Sequence, residues 1–444
     1  MSGTRRTAQR KMASVGRRIG DQLRIAANLV RWALLGAVSG ALAGLGSWCF
    51  LEVLDRITNL RTGNDWIVWL MPAGGLILGG VYHYVGGRAS RGSTLLLEQI
   101  HEPTDWVPRR MAPLIVLGTW GSQFVGASVG REGTALQMSG SLTDSFARLI
   151  RLRDDDRRTL LIAALAGGFG AVFGVPVAGA IFALEVQSIG RVRYEAIVPA
   201  LTASVVGDRI VRALGYEHTI RLQLDPRIDT WLLLKIALAG VCFGLAGAAF
   251  IEITDGLRRT MSRLVSWPPL RPAIGGLASI GLIALVGHDY TAMSLPIIDR
   301  ALAGDSLSFA VFALKIVFTA IAIGTYFPGG EVTRLFASGA TLGAALAAPL
   351  NVSGPLIAAV GFVAVFAGAS NTPIACTVMG MELFGGAAAL PFAAACIVSY
   401  VFAGHRSIYS TQRLTVDKAG RRLDLRVAVH DWWAHTTHPH RRNR

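Results

Sequence analysis

GREGTALQMSG (130–140) and GGEVTRLFASG (329–339) are one pattern written twice. Aligned, Glu132 falls on Glu331, Thr134 on Thr333, Leu136 on Leu335, Ser139 on Ser338 and Gly140 on Gly339. A second echo follows each copy. GFGAVFGVPVAGAIFALE (168–185) parallels GFVAVFAGASNTPIACTVMGME (361–382), with Pro176 and Glu185 matching Pro373 and Glu382 at the same spacing. Self-similarity of this kind in an apolar chain predicts a transporter built on an internal structural repeat.

The surrounding sequence is of membrane grade. Of 444 residues, 52% are hydrophobic and 16% charged, where a soluble protein carries about 25% charge. The runs 32–51, 66–87, 111–130, 159–184 and 383–404 each hold 20 or more residues without a charge. About 20 apolar residues span a bilayer as helix. The run 335–381 is uncharged for 47 residues, enough for two spans or several broken ones. The chain therefore reads as an all-α polytopic membrane protein. Small residues four apart, at Gly36, Gly40 and Gly44 and at Gly240 and Gly244, suit close helix packing in lipid.

The net charge of +15 is concentrated at the ends: residues 1–31 and 413–444 together carry +12 of it. Basic flanks beside apolar spans follow the positive-inside rule and predict both termini in the cytoplasm. They suit anionic lipid headgroups. No nucleic-acid-binding module accompanies them. Cys49, Cys242, Cys376 and Cys396 all sit in apolar runs without CxxC spacing, which predicts free thiols rather than disulfides or a metal site. The first apolar run is span-length and lacks an A-x-A cleavage site, so it reads as a first transmembrane helix rather than a signal peptide.

The expected organisation is a basic segment at 1–29, a transmembrane domain at 30–412 and a basic tail at 413–444. Within the domain, repeat one covers about 30–214 and repeat two about 231–412, separated by the polar stretch 215–230. His430, His435, His438 and His440 make the tail histidine-rich, which suits a polar, disordered end better than a metal site. The segments 196–207 and 316–330 are too short to span and are broken by Gly or flanked by Pro. Short, interrupted segments at matching places in two halves predict discontinuous helices that meet near the bilayer midplane. Half-helix N-termini present unpaired N–H groups and a partial positive charge. Several converging on one point bind an anion without a buried cation.

Glu132 sits in the first helical turn after a glycine turn. A glutamate there complements the helix dipole. Following a whole span, however, it lies where a charge costs about 2.5–3.5 kcal/mol even on the lenient scale. A carboxylate at such an N-terminus can mimic the anion, leave when protonated and carry the proton. Glu331 repeats the device, with Arg334 its one nearby basic residue and Thr333 a capping-type neighbour. Glu132 and Glu331 are thus the candidate gating and proton-transfer groups. Gly130, Arg131, Gly133 and Thr134 in the first turn, and Gly330, Val332 and Thr333 in the second, are the candidate anion-binding residues. Arg131 is expected to pair locally and support its loop. Glu185 and Glu382 read as structural groups at helix ends. Asn371 is placed to satisfy backbone freed at a helix break.

GREGT (130–134), GVPVAGAIFALE (174–185), GGEVT (329–333) and SNTPIACTVMGMELFG (370–385) resemble the CLC superfamily of anion channels and anion/proton antiporters over about residues 30–412. GGEVT and SNTPIACTVMGMELFG resemble its bacterial fluoride/proton antiporter branch, CLC-F. The resemblance implies a CLC-type fold of two inverted-topology repeats with broken and half-spanning helices, in a homodimer with one pore per subunit. It implies that Glu132 is the gating glutamate. Glu331 and Thr333 would be the second carboxylate and its neighbouring hydroxyl. Tyr409, in GHRSIYSTQ (404–412), would line the central anion site, and Ser93 would stand in the place of the family's GSGIP loop.

Two departures accompany the likeness. Chloride/proton exchangers carry a second proton glutamate just after FxxE, where this chain reads Glu185-Val186. Phenylalanines that the fluoride branch places after the Ser93 region are absent from Leu95, Leu96, Leu97, Glu98 and Gln99. The expected function is fluoride export driven by proton influx, with chloride conduction or chloride/proton exchange as the alternative. The expected partners are fluoride or chloride, protons, membrane lipid and a second copy of the chain. No cofactor or metal is expected. No HExxH or GxSxG motif supports an intramembrane enzyme.

Overall fold

The structure, a computed structural model, describes residues 2–218, 222–330, 332–418, 420 and 422–429, with backbone alone at 2–19 and 422–427. Glu331 and the tail histidines His430, His435, His438 and His440 lie outside the described residues.

Helices dominate, and the second half of the chain repeats the first in order. The first half contains α1 (Ser2–Thr62), α2 (Met71–Val81), α3 (Ser93–His101), α4 (Met111–Phe124), α5 (Glu132–Leu149), α6 (Asp154–Phe173), α7 (Pro176–Glu185) and α8 (Ile197–Ala213). The second contains α9 (Thr230–Leu264), α10 (Leu270–Val286), α11 (Leu295–Ala303), α12 (Phe309–Gly324), α13 (Val332–Leu350), α14 (Gly354–Ser370), α15 (Pro373–Phe384) and α16 (Ala389–Phe402). Among the described residues three helical stretches, Gly20–Thr62, Asp65–His101 and Thr230–Leu264, are long and apolar enough to cross a membrane. The other apolar helices are shorter, 10–17 residues. The uncharged run 335–381 contributes to three helices, broken at 351–353 and at 371–372. Proline at the first turn and a left-handed residue at the preceding end, Asn371 with φ 58°, account for the second break.

Small residues allow the helices to touch backbone to backbone. A side chain at Gly36 would meet the Pro199 carbonyl oxygen at 2.6 Å, and one at Gly44 the Gly207 carbonyl at 2.8 Å, so α1 lies directly on α8. In the second half α9 lies on α16 the same way, Gly244 facing the Ser399 carbonyl at 2.5 Å. The closest crossing joins α13 to α14, where a methyl at Gly339 would fall on the Gly361 carbonyl oxygen and the reverse holds too. With backbone on both sides neither helix can yield locally. Gly339→Ala is therefore expected to cost more than the ~1–3 kcal/mol of ordinary overpacking. A thermal midpoint in detergent equal to the parent's would refute that.

The interior is apolar and centred on phenylalanines from both halves, with Phe169, Phe182, Phe336, Phe362 and Phe366 all buried. Leu34, Leu45, Leu238, Leu245, Leu277 and Leu285 are exposed on the outside, as lipid-facing positions should be. After α16 the chain forms β2 (Arg413–Val416) and β3 (Arg422–Ala428), antiparallel to each other, with β2 parallel to β1 (Ser188–Ile189). The first part of the expected disordered tail is thus strand, tied to the α7–α8 connection. The Arg413 guanidinium, hydrogen-bonded to Glu102 at 2.5 Å, holds that carboxyl below its ordinary range. The four cysteines are free, with Cys376 and Cys396 buried.

Candidate functional site

The two glycine turns meet. Gly130 and Gly330 form an isolated antiparallel bridge, N–H to carbonyl at 2.6 Å in one direction and 2.9 Å in the other. This brings the N-termini of α5 and α13 together, one from each half. Each leaves N–H donors unpaired by helix geometry.

Glu132 stands at that junction and is 1% exposed. Its Oε2 accepts from the Thr333 N–H at 3.0 Å, in the first turn of α13. Its Oε1 has no hydrogen-bond partner among the described residues and lies 4.0 Å from Arg131 Nε. Glu132 therefore begins one half-helix and places its carboxylate on the N-terminus of the other. A carboxylate there occupies the position that a small anion would take.

The supports around the junction are buried cations and hydroxyls. The Arg131 guanidinium stacks 5.8 Å over the Phe173 ring. Arg334, fully buried, donates to the carbonyls of Val129 and Ala292. It braces the first turn. Lys315, on α12, donates to Ser128 Oγ, Tyr290 O and Ser294 Oγ. Thr134 Oγ1 is 2.5 Å from Thr119 Oγ1, so that hydroxyl joins α5 to α4. Thr333 Oγ1 is buried without a partner among the described residues.

A cavity of about 510 Å³ reaches the junction from one side. Ser93, Gly133, Gln137, Gly330, Val332 and Tyr409 line it near the turns, and Asp255, Arg258, Arg271 and Tyr326 line it farther out. Of the sequence-derived candidates, Ser93, Gly133, Gly330, Val332 and Tyr409 share this cavity. Gly130, Arg131, Glu132, Thr134 and Thr333 are buried and are not among its lining residues. Ser93 opens α3 and accepts from Gln137 Nε2 at 3.4 Å. A second cavity, about 590 Å³, shares Asp255, Arg258, Tyr326, Ser407 and Ser410 with the first and adds Arg259, Arg263 and Arg406. The outer mouth is basic.

Tyr409 is held there by backbone-directed bonds. Asn371 Nδ2 donates to the Arg406 carbonyl at 2.8 Å, and the Ile408 N–H to the Ala369 carbonyl at 2.9 Å. Asn371 thus satisfies the segment leading to Tyr409 rather than the break beside it. The Tyr409 ring packs edge-on against Phe182 at 6.1 Å.

Phenylalanines do reach the site, from helices other than α3. A continuous aromatic column runs from Phe173 to Phe336 (5.2 Å), Phe366 (5.2 Å), Phe182 (5.9 Å) and Tyr409. Ring edges carry partial positive charge, which favours a nearby anion. The signal was present in sequence: F-x-x-x-F occurs in both echoes, as Phe169/Phe173 and Phe362/Phe366. Lys315 also had a signal, as the one basic residue between Asp305 and Glu331.

Glu185 and Glu382 cap each other's helices. Glu185 accepts from the N–H groups of Ile374 and Ala375 on α15 at 3.2 and 2.9 Å. Glu382 accepts from Val177 and Ala178 on α7 at 3.0 and 2.8 Å. Both carboxylates are committed to helix N-termini away from the turns. Among the described residues no group of three His, Cys, Asp or Glu side chains is arranged to hold a metal ion.

The family model "Voltage gated chloride channel" matches residues 74–404. A chloride/fluoride channel protein of Pseudomonas syringae pv. tomato (strain ATCC BAA-871 / DC3000) is 41% identical over 420 residues, covering 93% of this chain and 92% of that one. An H(+)/Cl(−) exchange transporter ClcA of Klebsiella pneumoniae (strain 342) is 27% identical over 417 residues, covering 85% and 87%. Among solved structures, a CLC-type fluoride/proton antiporter superposes with a TM-score of 0.84 at 31% identity, over 87% of this chain and 98% of that one. A slow cyanobacterial Cl−/H+ antiporter superposes with a TM-score of 0.72 at 19% identity, a likeness of fold alone.

Proposed function

Because this chain belongs to the voltage-gated chloride channel (CLC) family of membrane anion transporters, we propose that it exports fluoride in exchange for protons. The observation that carries this reading is the Glu132 carboxylate on the Thr333 N–H, where the N-termini of α5 and α13 meet. An ionised carboxylate is a strong acceptor from backbone N–H, and a protonated one is weak. Protonation therefore frees the α13 N-terminus for an anion, and the departing carboxyl takes its proton along. Anion and proton then exchange places at one site.

Fluoride suits the donors offered. It is small, strongly hydrated and a strong hydrogen-bond acceptor, so its water must be replaced by equally good donors. Backbone N–H groups of α5 and α13, the Thr333 and Tyr409 hydroxyls and the protonated Glu132 carboxyl supply them. Glu331 is assigned as the second carboxyl, from its sequence position beside Thr333. With Glu185 spent on α15, it also takes the proton role that Glu185-Val186 lacks.

In the membrane we place the transport domain at 30–412, with repeats at about 30–214 and 231–412. The termini, the basic mouth of Arg258, Arg259, Arg263 and Arg406, and the tail hairpin then face the cytoplasm of a bacterial inner membrane, as the positive-inside rule requires. The assembly is a homodimer with a pore in each subunit. Its chemistry is transport, without a reaction on a substrate.

The test is anion efflux from proteoliposomes, fluoride against chloride, with and without an imposed proton gradient. Uphill fluoride export driven by protons is expected. Chloride flux equal to or above that of fluoride would place the protein among chloride transporters. Glu331→Gln is expected to cut proton-driven fluoride export severely, and parental rates would leave Glu331 without a transport role. Tyr409→Phe is expected to weaken fluoride affinity by one hydrogen bond, about 1 kcal/mol. Titration calorimetry with fluoride checks it, and an unchanged affinity removes Tyr409 from the site.

A further inference from the structure

Lys315 is 0% exposed, in the middle of α12, and is an ionisable group that the exchange described above does not use. Its surroundings are rich in hydrogen-bond acceptors. Nζ lies 2.6 Å from Ser294 Oγ, 3.1 Å from the Tyr290 carbonyl and 3.2 Å from Ser128 Oγ. The Ser294 hydroxyl donates to the Thr291 carbonyl, so its oxygen faces Lys315 as an acceptor. The Tyr290 carbonyl can only accept. Thr319 donates to the Lys315 carbonyl at 2.9 Å, so the Ser128 hydroxyl donates to Thr319 and also turns a lone pair to Lys315. Three acceptors match the three N–H bonds of an ammonium, one more than a neutral amine has.

Neither Lys315 nor Arg334 is in an ion pair among the described residues. A buried charge is costly and is retained where it serves function. The two cations grip the same pair of segments. Arg334 donates to Val129 and Ala292, and Lys315 to Ser128, Tyr290 and Ser294. Gly130 follows at once, with its bridge to Gly330.

We propose that Lys315 is a positioning residue that supplies a fixed positive charge to the transport site, so that protonation of Glu132 leaves a charge deficit which an incoming anion fills. The inference rests on the anion/proton reading above. Its role is electrostatic, through the loop that Ser128 begins, and needs no direct contact with the anion.

Concentration-dependent transport in proteoliposomes tests it, with fluoride and chloride each measured, so that a chloride-selective protein would overturn the fluoride reading and leave this test intact. Lys315→Gln, which keeps N–H donors and removes the charge, is expected to raise KM for the transported anion on the order of tenfold, with turnover at saturation little changed. Lys315→Arg is expected to restore KM. Ser294→Ala, which leaves two acceptors and so favours the neutral amine, is expected to raise KM in the same direction as Lys315→Gln, and tests the charge even if Lys315→Gln fails to fold. A parental KM in Lys315→Gln, no rescue by Arg, or a parental KM in Ser294→Ala would each overturn the assignment.

Discussion

Glu132→Gln is expected to abolish proton-driven anion export. Glutamine keeps the shape and can still accept from the Thr333 N–H through its amide oxygen, but it cannot take up a proton. The α13 N-terminus stays covered and the exchange loses its trigger. Loss of a positioned proton-transfer group costs about 10²–10⁴-fold, and a comparable fall in coupled export is expected here. Glu132→Ala separates the two duties of the side chain. It uncovers the α13 N-terminus, so passive anion flux is expected to persist while proton movement disappears. Simultaneous recording of anion efflux and proton uptake distinguishes the variants. Parental anion-to-proton coupling in Glu132→Gln would remove Glu132 as the gate.

Gly330→Ala is expected to be the second large loss. A methyl at Gly330 would stand 2.6 Å from the Gly133 nitrogen and 3.2 Å from both the Glu132 nitrogen and its Oε2. The first of these neighbours is backbone in the opposite half, so no rotamer relieves the clash. The turns must part, and the paired Gly130–Gly330 bonds with them. Overpacking of this kind costs ~1–3 kcal/mol. Concentrated at the transport junction, it should lower flux ~10- to 100-fold while most of the helix packing remains. Gly80→Ala is the control, since a methyl there meets nothing within 4 Å. Equal transport by Gly330→Ala and Gly80→Ala would show that the bridge is dispensable.

The sequence by itself determined the membrane class and the repeat of one half in the other, whereas the expected short segments 196–207 and 316–330 fall on α8 and across the end of α12. Membrane class and repeat are written locally. Charge-free runs report lipid, Pro176 and Pro373 report helix starts, and the recurrence of GREGT as GGEVT reports the repeat. Glu132 could be singled out for the same reason, as a charge one residue into a helix after an apolar run. The position of Glu331 is still known from sequence alone.

Only the tertiary structure decided which helix each charged group serves. Glu132 meets the Thr333 N–H across 201 residues, and Glu185 meets α15 across 189 and 190. Arg334 reaches back to Val129 in the opposite half. The phenylalanines by the site come from α6, α7, α13 and α14 rather than from the helix after Ser93. Periodicity and turn chemistry fix a helix and its ends through neighbours in the chain. What an exposed helix N-terminus or a buried cation faces is fixed by how the two halves pack, and that packing is set by contacts spread over all sixteen helices.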